Sequence, residues 1–170
     1  MKTVLVLNTG SSSLKASLLL ACNKSASKAP HTRLITAHGE RLGTQYSSLR
    51  ISISVDVIDK LLSSSVGGSP GKSTNIDYFH DSARILSEDF VVPSEDKKKI
   101  KIFETYTPKM RHEDAIKRVV TFIKAQSEVL FSSIVAVGHR VVHGGLLSDA
   151  VVIDETVLQS IEDATHLAPL

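Results

Sequence analysis

A run of hydrogen-bond donors follows the first apolar segment of this sequence. Residues 4–15 read VLVLNTGSSSLK, so Asn8, Gly10, three consecutive serines and Lys15 come directly after an apolar stretch. Glycine allows a tight turn and a close approach of the backbone, main-chain N–H groups and hydroxyls can donate to an anion, and lysine adds positive charge. The string predicts a phosphate-binding turn. The alternative is a plain β-turn, in which Asn, Gly and Ser are common residues.

Arg140 is a second residue whose surroundings suggest chemistry. It lies in the string IVAVGHRVVHGG at residues 134–145. The nearly continuous apolar segment 133–142 is typical of a strand buried on both faces, where a guanidinium is unfavourable unless it is paired. The partner is either an internal carboxylate or the carboxylate or phosphoryl group of a substrate, which the planar donor fork of arginine fits well.

Apolar and alternating segments predict the strands that position the turn. Residues 3–7 and 14–20 are apolar runs on either side of it and predict an antiparallel hairpin. Further strands are expected at residues 34–41 and 49–55, and the second of these alternates cleanly between apolar and polar side chains. A sheet with one buried face and one wet face is therefore expected.

A helix and a further strand should position Arg140. Residues 112–130 carry apolar side chains on one side, which predicts a helix crossing over to the strand at 133–142. A short strand is expected at 151–153, followed by a helix at 155–164 that Asp154 can cap. An antiparallel strand meander, a crossover helix and a central buried strand together predict an α/β domain with a mixed sheet, of the ribonuclease-H-like kind.

The composition is that of an ordinary folded protein. With 170 residues, 42% hydrophobic and 22% charged, one compact domain is the default. Residues 63–99, rich in Ser, Gly and charge, predict a long surface excursion. A net charge of +2 argues against an extended nucleic-acid surface and against attraction to anionic membranes. A single cysteine, Cys22, favours the cytosol, and no stretch approaches the ~20 apolar residues of a membrane helix.

The string at residues 4–15 resembles the opening motif of the acetate kinase family, within the superfamily of acetate and sugar kinases, Hsp70 and actin. That motif is an apolar strand, Asn, any residue, Gly, three Ser or Thr, one residue and Lys, and this sequence satisfies it at every position. The resemblance implies a magnesium site and a site for nucleotide phosphates. Their residues would be Asn8 beside the magnesium ion, Ser11 and Ser13 at the transferring phosphoryl group, and Gly10, Ser12 and Lys15 at the nucleotide phosphates.

GHRVVHGG at residues 138–145 is similar to the second signature of the same family. The resemblance implies that Arg140 binds the carboxylate substrate and steadies the transition state. It also implies that Val142 and Leu170 line the substrate site, with Val142 in a small apolar pocket for a methyl group. Butyrate kinases are not expected to carry this signature, whereas propionate kinases can. Acetate is therefore the first candidate substrate, and propionate is the alternative. Weaker matches to the family occur at residues 39–43, 112–117 and 151–170.

The implied activity is ATP-dependent, magnesium-assisted phosphorylation of acetate to acetyl phosphate by a cytoplasmic homodimer. In the family, the final LAPL is followed by a second domain, so these 170 residues are expected to be an N-terminal domain without turnover of its own, and residues 63–99 an insertion. A propionate kinase, a non-catalytic phosphate- or nucleotide-binding module and an inert fragment are the alternatives. The phosphoryl donor, ATP or pyrophosphate, stays open.

Overall fold

The structure is a computed structural model that describes residues 1–21, 32–59 and 100–167. Cys22, Leu170 and the predicted insertion at residues 63–99 lie outside the described residues. The chain divides into two compact units, Met1–Gly138 and His139–Leu170, and each is described by itself. Within the described ranges, no helix is both long enough and apolar enough to cross a membrane.

In the described ranges, six strands form one mixed sheet in the order β5-β4-β3-β2-β1-β6. The first five are antiparallel neighbours in sequence order, which confirms the predicted hairpin and strand meander. The strands predicted at 34–41 and 49–55 each begin and end one residue earlier in the structure. The strand bounds are Thr3–Thr9 for β1, Leu14–Leu20 for β2, Arg33–Glu40 for β3, Ser48–Ser54 for β4, Ile100–Tyr106 for β5 and Ile134–Arg140 for β6.

The helix predicted at 112–130 is divided in two. Ser127 interrupts it with extended backbone, φ −170°, and its hydroxyl accepts a hydrogen bond from the Leu130 N–H at 3.3 Å, which caps the second helix. The predicted cap of the last helix is confirmed, because the Asp154 carboxylate accepts from the Val157 N–H at 2.8 Å. Residues 55–59 are also helical. The helix bounds are His112–Gln126 for α1, Glu128–Ser132 for α2 and Glu155–Asp163 for α3, with a 3₁₀ turn at Thr165–Leu167.

One face of the sheet forms the core with α1. On β2, Leu14, Ala16 and Leu18 are buried while the side chains between them are not, as the strand period requires. Helix α1 directs its apolar side at this face, and the rings of Phe103 on β5 and Phe122 on α1 meet edge to face with centroids 5.0 Å apart. The core therefore lies directly behind the strand that leaves the predicted turn.

Strand β6 lies at an edge of the sheet, beside β1. The prediction of a central strand buried on both faces is therefore wrong, and Val135 and Val137 are 57% and 60% exposed. An apolar run indicates that a strand is compatible with burial, but it does not specify which neighbours cover it.

Two other strand assignments differ from the sequence prediction. Residues 151–153 are exposed and form no strand, so that prediction is wrong. Strand β5 was missed because its outward face carries Ile100, Ile102 and Tyr106 while Phe103 and Thr105 face the core. Apolar side chains on both faces remove the alternation that identifies a half-buried strand.

Candidate functional site

The predicted phosphate-binding residues lie in the connection of the β1–β2 hairpin. The two strands pair in antiparallel register up to Thr9 and Leu14, so residues 10–13 form the turn. The Gly10 N–H donates to the Ser13 carbonyl at 2.9 Å and closes it. A short, closed turn holds its serine side chains and peptide groups in fixed directions.

Gly10 is required for space rather than for backbone conformation. A Cβ atom placed there would lie 2.8 Å from the Ser13 hydroxyl oxygen, closer than carbon and oxygen can approach. The absence of a side chain at Gly10 therefore allows Ser13, which is half-buried, to turn its hydroxyl towards the turn backbone.

Two contacts from distant parts of the chain support the turn. The Leu42 N–H donates to the Ser12 carbonyl at 2.9 Å, and the His112 imidazole Nε2 lies 2.8 Å from the Gly10 carbonyl oxygen. Leu42 follows Arg41, which has a positive φ of 53° and lies in the turn directly after β3. The turn is thus held by a loop after β3 and by the first residue of α1.

Ser11 and Ser12 present the donors that a phosphate needs. Both side chains are exposed, and within residues 1–21, 32–59 and 100–167 neither hydroxyl nor either main-chain N–H has a protein partner. Donors that are fixed in space and not engaged by protein can bind an anion without first breaking an internal hydrogen bond.

Lys15 and Asn8 lie opposite one another on the face of the sheet that α1 does not cover. The strand register pairs Asn8 with Lys15, Lys15 with His38, His38 with Arg50, and Arg50 with Glu104. These five positions form a polar row across β1 to β5. The exposed Lys15 side chain therefore has the turn at one end of its strand and an open polar surface beside it.

The far end of this row is internally neutralised. Arg50 donates to the Glu104 carboxylate at 3.0 Å, and both line a surface cavity of about 230 Å³ together with His38, Glu40 and Ser48. A hydrogen bond to Glu104, with the negative charge of that carboxylate, raises the pKa of the exposed Tyr106 phenol. The positive charge of Arg50 is therefore satisfied within the protein, whereas Lys15 has no ion pair among the described residues.

The polar side chains near the turn include few that could bind magnesium. In the described part of the chain, no three His, Cys, Asp or Glu side chains are grouped so as to hold a metal ion. Asn8 offers one half-buried amide oxygen, opposite the Lys15 ammonium. Magnesium commonly takes one or two protein ligands and completes its octahedron with phosphate oxygens and water. Asn8 fits such a site as a single protein ligand.

The structure brings together Asn8, Gly10, the three serines and Lys15, all in the first unit. Arg140 and Val142 belong to the second unit, where both side chains are exposed. The expectation that Arg140 is buried is wrong, because β6 is an edge strand, and no ion pair to it is present within the described ranges. Leu170 lies outside the described residues.

Sequence reasoning did not identify the supporting residues Leu42 and His112. Both lie in short segments that resemble the family weakly, 39–43 and 112–117. That resemblance is the one feature of the sequence that points to them. Their roles depend on hydrogen bonds between residues that are 30 and 102 positions apart in the chain, and no local pattern encodes such contacts.

Comparisons with known proteins identify the family and the fold of the chain. The acetokinase family model matches residues 61–170. The acetate kinase of Erwinia tasmaniensis is 50% identical over 60 residues, which are 35% of this chain and 15% of that protein. A propionate kinase from Francisella tularensis and the acetate kinase of Porphyromonas gingivalis align with the whole chain at 23% identity, with TM-scores of 0.59 and 0.56. This chain covers 30% and 31% of those two, and the α/β, ribonuclease-H-like fold is confirmed.

Proposed function

The chain belongs to the acetokinase family, and on that premise we propose that it supplies the phosphate-binding side of a kinase that transfers a phosphoryl group from ATP to acetate. The observation that carries the proposal is the β1–β2 turn. There, donors of Ser11 and Ser12 that no described residue engages lie between two strands, and Lys15 follows on the face that α1 does not cover. Phosphoryl transfer depends mainly on positioning and on stabilisation of negative charge, and this arrangement offers both.

Each residue of the turn has a proposed task. The N–H groups and hydroxyls of Ser11, Ser12 and Ser13 bind phosphate oxygens, with Ser11 and Ser13 at the group that is transferred. Gly10 leaves room for the Ser13 hydroxyl, and Lys15 neutralises the nucleotide phosphates. A charge-assisted hydrogen bond of this kind is roughly twice as strong as a neutral one.

Asn8 is proposed to contact Mg²⁺, directly or through water. A magnesium site at Asn8 would supply positive charge that stabilises the negative charge developing during phosphoryl transfer. The amide oxygen of Asn8 orients that site, and Lys15, which is opposite to it in the strand register, is held close to the nucleotide phosphates.

The carboxylate substrate is proposed to bind at Arg140. Its exposed guanidinium can form two parallel hydrogen bonds with a carboxylate. Val142 and Leu170 would form the apolar wall beside the substrate methyl group, which favours acetate, while propionate, one methylene larger, is the second candidate. A single methylene changes binding by only about 1–3 kcal/mol.

These 170 residues are proposed to bind nucleotide without turning it over, because the chain spans only 30% of the solved propionate kinase that it matches. The proposal extends to a cytoplasmic homodimer with ATP rather than pyrophosphate as donor, without nucleic-acid or membrane partners. Residues 63–99 are proposed to be an insertion in this N-terminal domain.

Calorimetric titration with Mg-ATP tests the binding part of the proposal. We expect saturable binding that Lys15→Ala weakens by about ten- to a hundredfold, because a hydrogen bond to a charged group contributes about 1.5–3 kcal/mol. Lys124→Ala is the matched control. This lysine is on α1, away from the turn, and its ammonium lies 5.6 Å from the centre of the Phe131 ring. Equal affinities for the wild-type chain and Lys15→Ala would contradict the proposed site.

A hydroxamate assay for acyl phosphate tests the catalytic part. The purified 170-residue chain should form none from acetate and Mg-ATP. Any longer product of the same gene should form acetyl phosphate from ATP, with acetate preferred over propionate, and Arg140→Ala should abolish the reaction. Turnover by the 170-residue chain, or a longer product that binds nucleotide without forming acyl phosphate, would overturn this part.

A further inference from the structure

His112 connects the turn to helix α1. Its Nε2 atom lies 2.8 Å from the carbonyl oxygen of Gly10, across 102 positions of sequence, and the side chain is half-buried. A carbonyl oxygen can only accept a hydrogen bond, so Nε2 must carry the proton and donate it. The contact therefore requires a proton on Nε2.

The hydrogen bond to Gly10 also fixes the direction of the next N–H group. The Gly10 carbonyl and the Ser11 N–H belong to one planar peptide group, and no cis peptide is present in the described chain. In a trans peptide, C=O and N–H point in opposite directions. Because His112 holds the carbonyl towards α1, the Ser11 N–H points away from the helix and into solvent, where it has no protein partner among the described residues.

Leu42 acts in the same way on the other side of the turn. Its N–H holds the Ser12 carbonyl at 2.9 Å, which fixes the peptide group that carries the Ser13 N–H. The backbone of the turn is thus held at two peptide groups, once by a main-chain donor and once by a side chain. Substitution of His112 removes the side-chain contact and leaves the main-chain contact from Leu42 in place.

We propose that His112 is a positioning residue for the phosphate site: through the Gly10 carbonyl, it holds the Ser11 N–H in the direction that binds a phosphate oxygen. The inference rests on the proposed function, since it assumes that the turn binds phosphate. His112 itself touches neither the phosphate nor the reacting atoms.

Two substitutions at His112 separate the effect of its hydrogen-bond donor from the effect of packing its ring. His112→Phe keeps a ring of similar size but removes the donor, whereas His112→Gln places an amide N–H donor at a similar reach. His166→Phe is the matched control, because that ring contacts the Asp163 carbonyl at 2.7 Å within its own unit. Urea unfolding of each variant provides the check that the chain is folded.

The probe is inorganic tripolyphosphate, titrated by calorimetry into the full 170-residue chain. We expect His112→Phe to weaken binding by about five- to tenfold, the effect of one hydrogen bond of roughly 1 kcal/mol or slightly more. His112→Gln and His166→Phe should remain within about twofold of the wild-type affinity. Wild-type affinity in His112→Phe, or a loss in His112→Gln equal to that in His112→Phe, would overturn the inference.

The outcomes also distinguish this inference from the proposed function. Absence of tripolyphosphate binding by the wild-type chain would overturn both, whereas binding that Lys15→Ala weakens and His112→Phe does not would overturn only the role of His112. If His112→Phe does not fold, ¹⁵N NMR of the wild-type imidazole remains decisive. A proton on Nε2 that is coupled to the Gly10 carbonyl is expected, and the tautomer with the proton on Nδ1 alone would contradict the inference.

Discussion

Residues of the β1–β2 turn differ in how far the protein itself engages them. The carbonyls of Gly10, Ser12 and Ser13 all accept hydrogen bonds from protein donors, while the exposed Ser11 and Ser12 donate to no protein group in the described ranges. The outward main-chain N–H groups of Ser11 and Ser12, which can only donate, favour an anion as the ligand of the turn.

Gly10→Ala should weaken phosphate binding more than it weakens the fold. The new Cβ would lie 2.8 Å from the Ser13 hydroxyl oxygen, and this hydroxyl can rotate away at a cost of about 1 kcal/mol. Ser13 would then point away from the bound phosphate, so we expect about tenfold weaker binding of Mg-ATP by calorimetry. Gly138→Ala is the control, because nothing lies within 4 Å of its Cβ position. Unchanged affinity in Gly10→Ala would contradict the account.

At this scale the sequence predicted the binding residues but not their supports. Asn8, Gly10, the serines and Lys15 are consecutive or nearly so, and a hairpin brings such residues together through local geometry alone. His112 and Leu42 are brought to the turn by the packing of α1 and by the loop after β3. Tertiary packing of this kind is not encoded in any short string.

Helix α1 is the element that stabilises the back of the sheet. Its buried side chains, with Phe122 in edge-to-face contact with Phe103, cover the core face behind β2. Since His112 is the first residue of this helix, the position of the turn support depends on how firmly α1 is packed.

Phe122→Ala should destabilise the first unit strongly. Removing a fully buried ring leaves a cavity and loses the contact with Phe103, which typically costs about 3–5 kcal/mol. Urea unfolding followed by circular dichroism measures this loss. Val129→Ala on α2, where the side chain is 54% exposed, should change stability by no more than about 0.5 kcal/mol. Similar losses for the two variants would show that α1 is not packed as described.

The first turn of α1 should respond to pH. A hydrogen bond from Lys117 and its positive charge lower the pKa of the exposed Glu113 carboxyl below its ordinary value. A lowered folded-state pKa contributes stability above the unfolded pKa, and this contribution is lost as pH falls through the folded-state pKa. Glu113→Gln should therefore lower Tm slightly at pH 7 and leave it unchanged near pH 2, measured by thermal unfolding. A larger loss of Tm near pH 2 than at pH 7 would contradict the expected pH dependence.

Elements with a one-sided pattern could be predicted from the sequence, and those without it could not. Strands β2 and β4 alternate between buried and less buried residues, and their predicted bounds were correct to within one residue. In β5 and β6 the apolar side chains are not restricted to one face. The two-residue alternation of the sequence therefore does not show which side chains are buried. The helix break at Ser127 depends on a single cap, which a propensity average does not detect.

At the scale of the whole molecule, β6 is an edge strand among the residues that the structure describes, and it carries exposed apolar side chains. Val135 and Val137 point to one side of an edge strand and are more than half exposed. Unpaired edge strands with apolar side chains favour association between chains.

Val137→Lys should therefore reduce concentration-dependent self-association of the chain, because a charge on an edge strand opposes pairing. Sedimentation velocity over a range of protein concentrations measures the effect. Val152→Lys, at a residue that is 90% exposed and in no strand, serves as the control and should change association little. Equal effects of both substitutions would show that total charge, and not the β6 edge, governs association.

The measurement that tests the central claim most directly is a titration of the ¹⁵N-labelled chain with Mg-ATP, followed by amide NMR. The account predicts saturable shifts that are largest at residues 10–15, with Ser11 foremost, and their loss in Lys15→Ala. Shifts centred elsewhere, or none in the turn at saturating Mg-ATP, would contradict it.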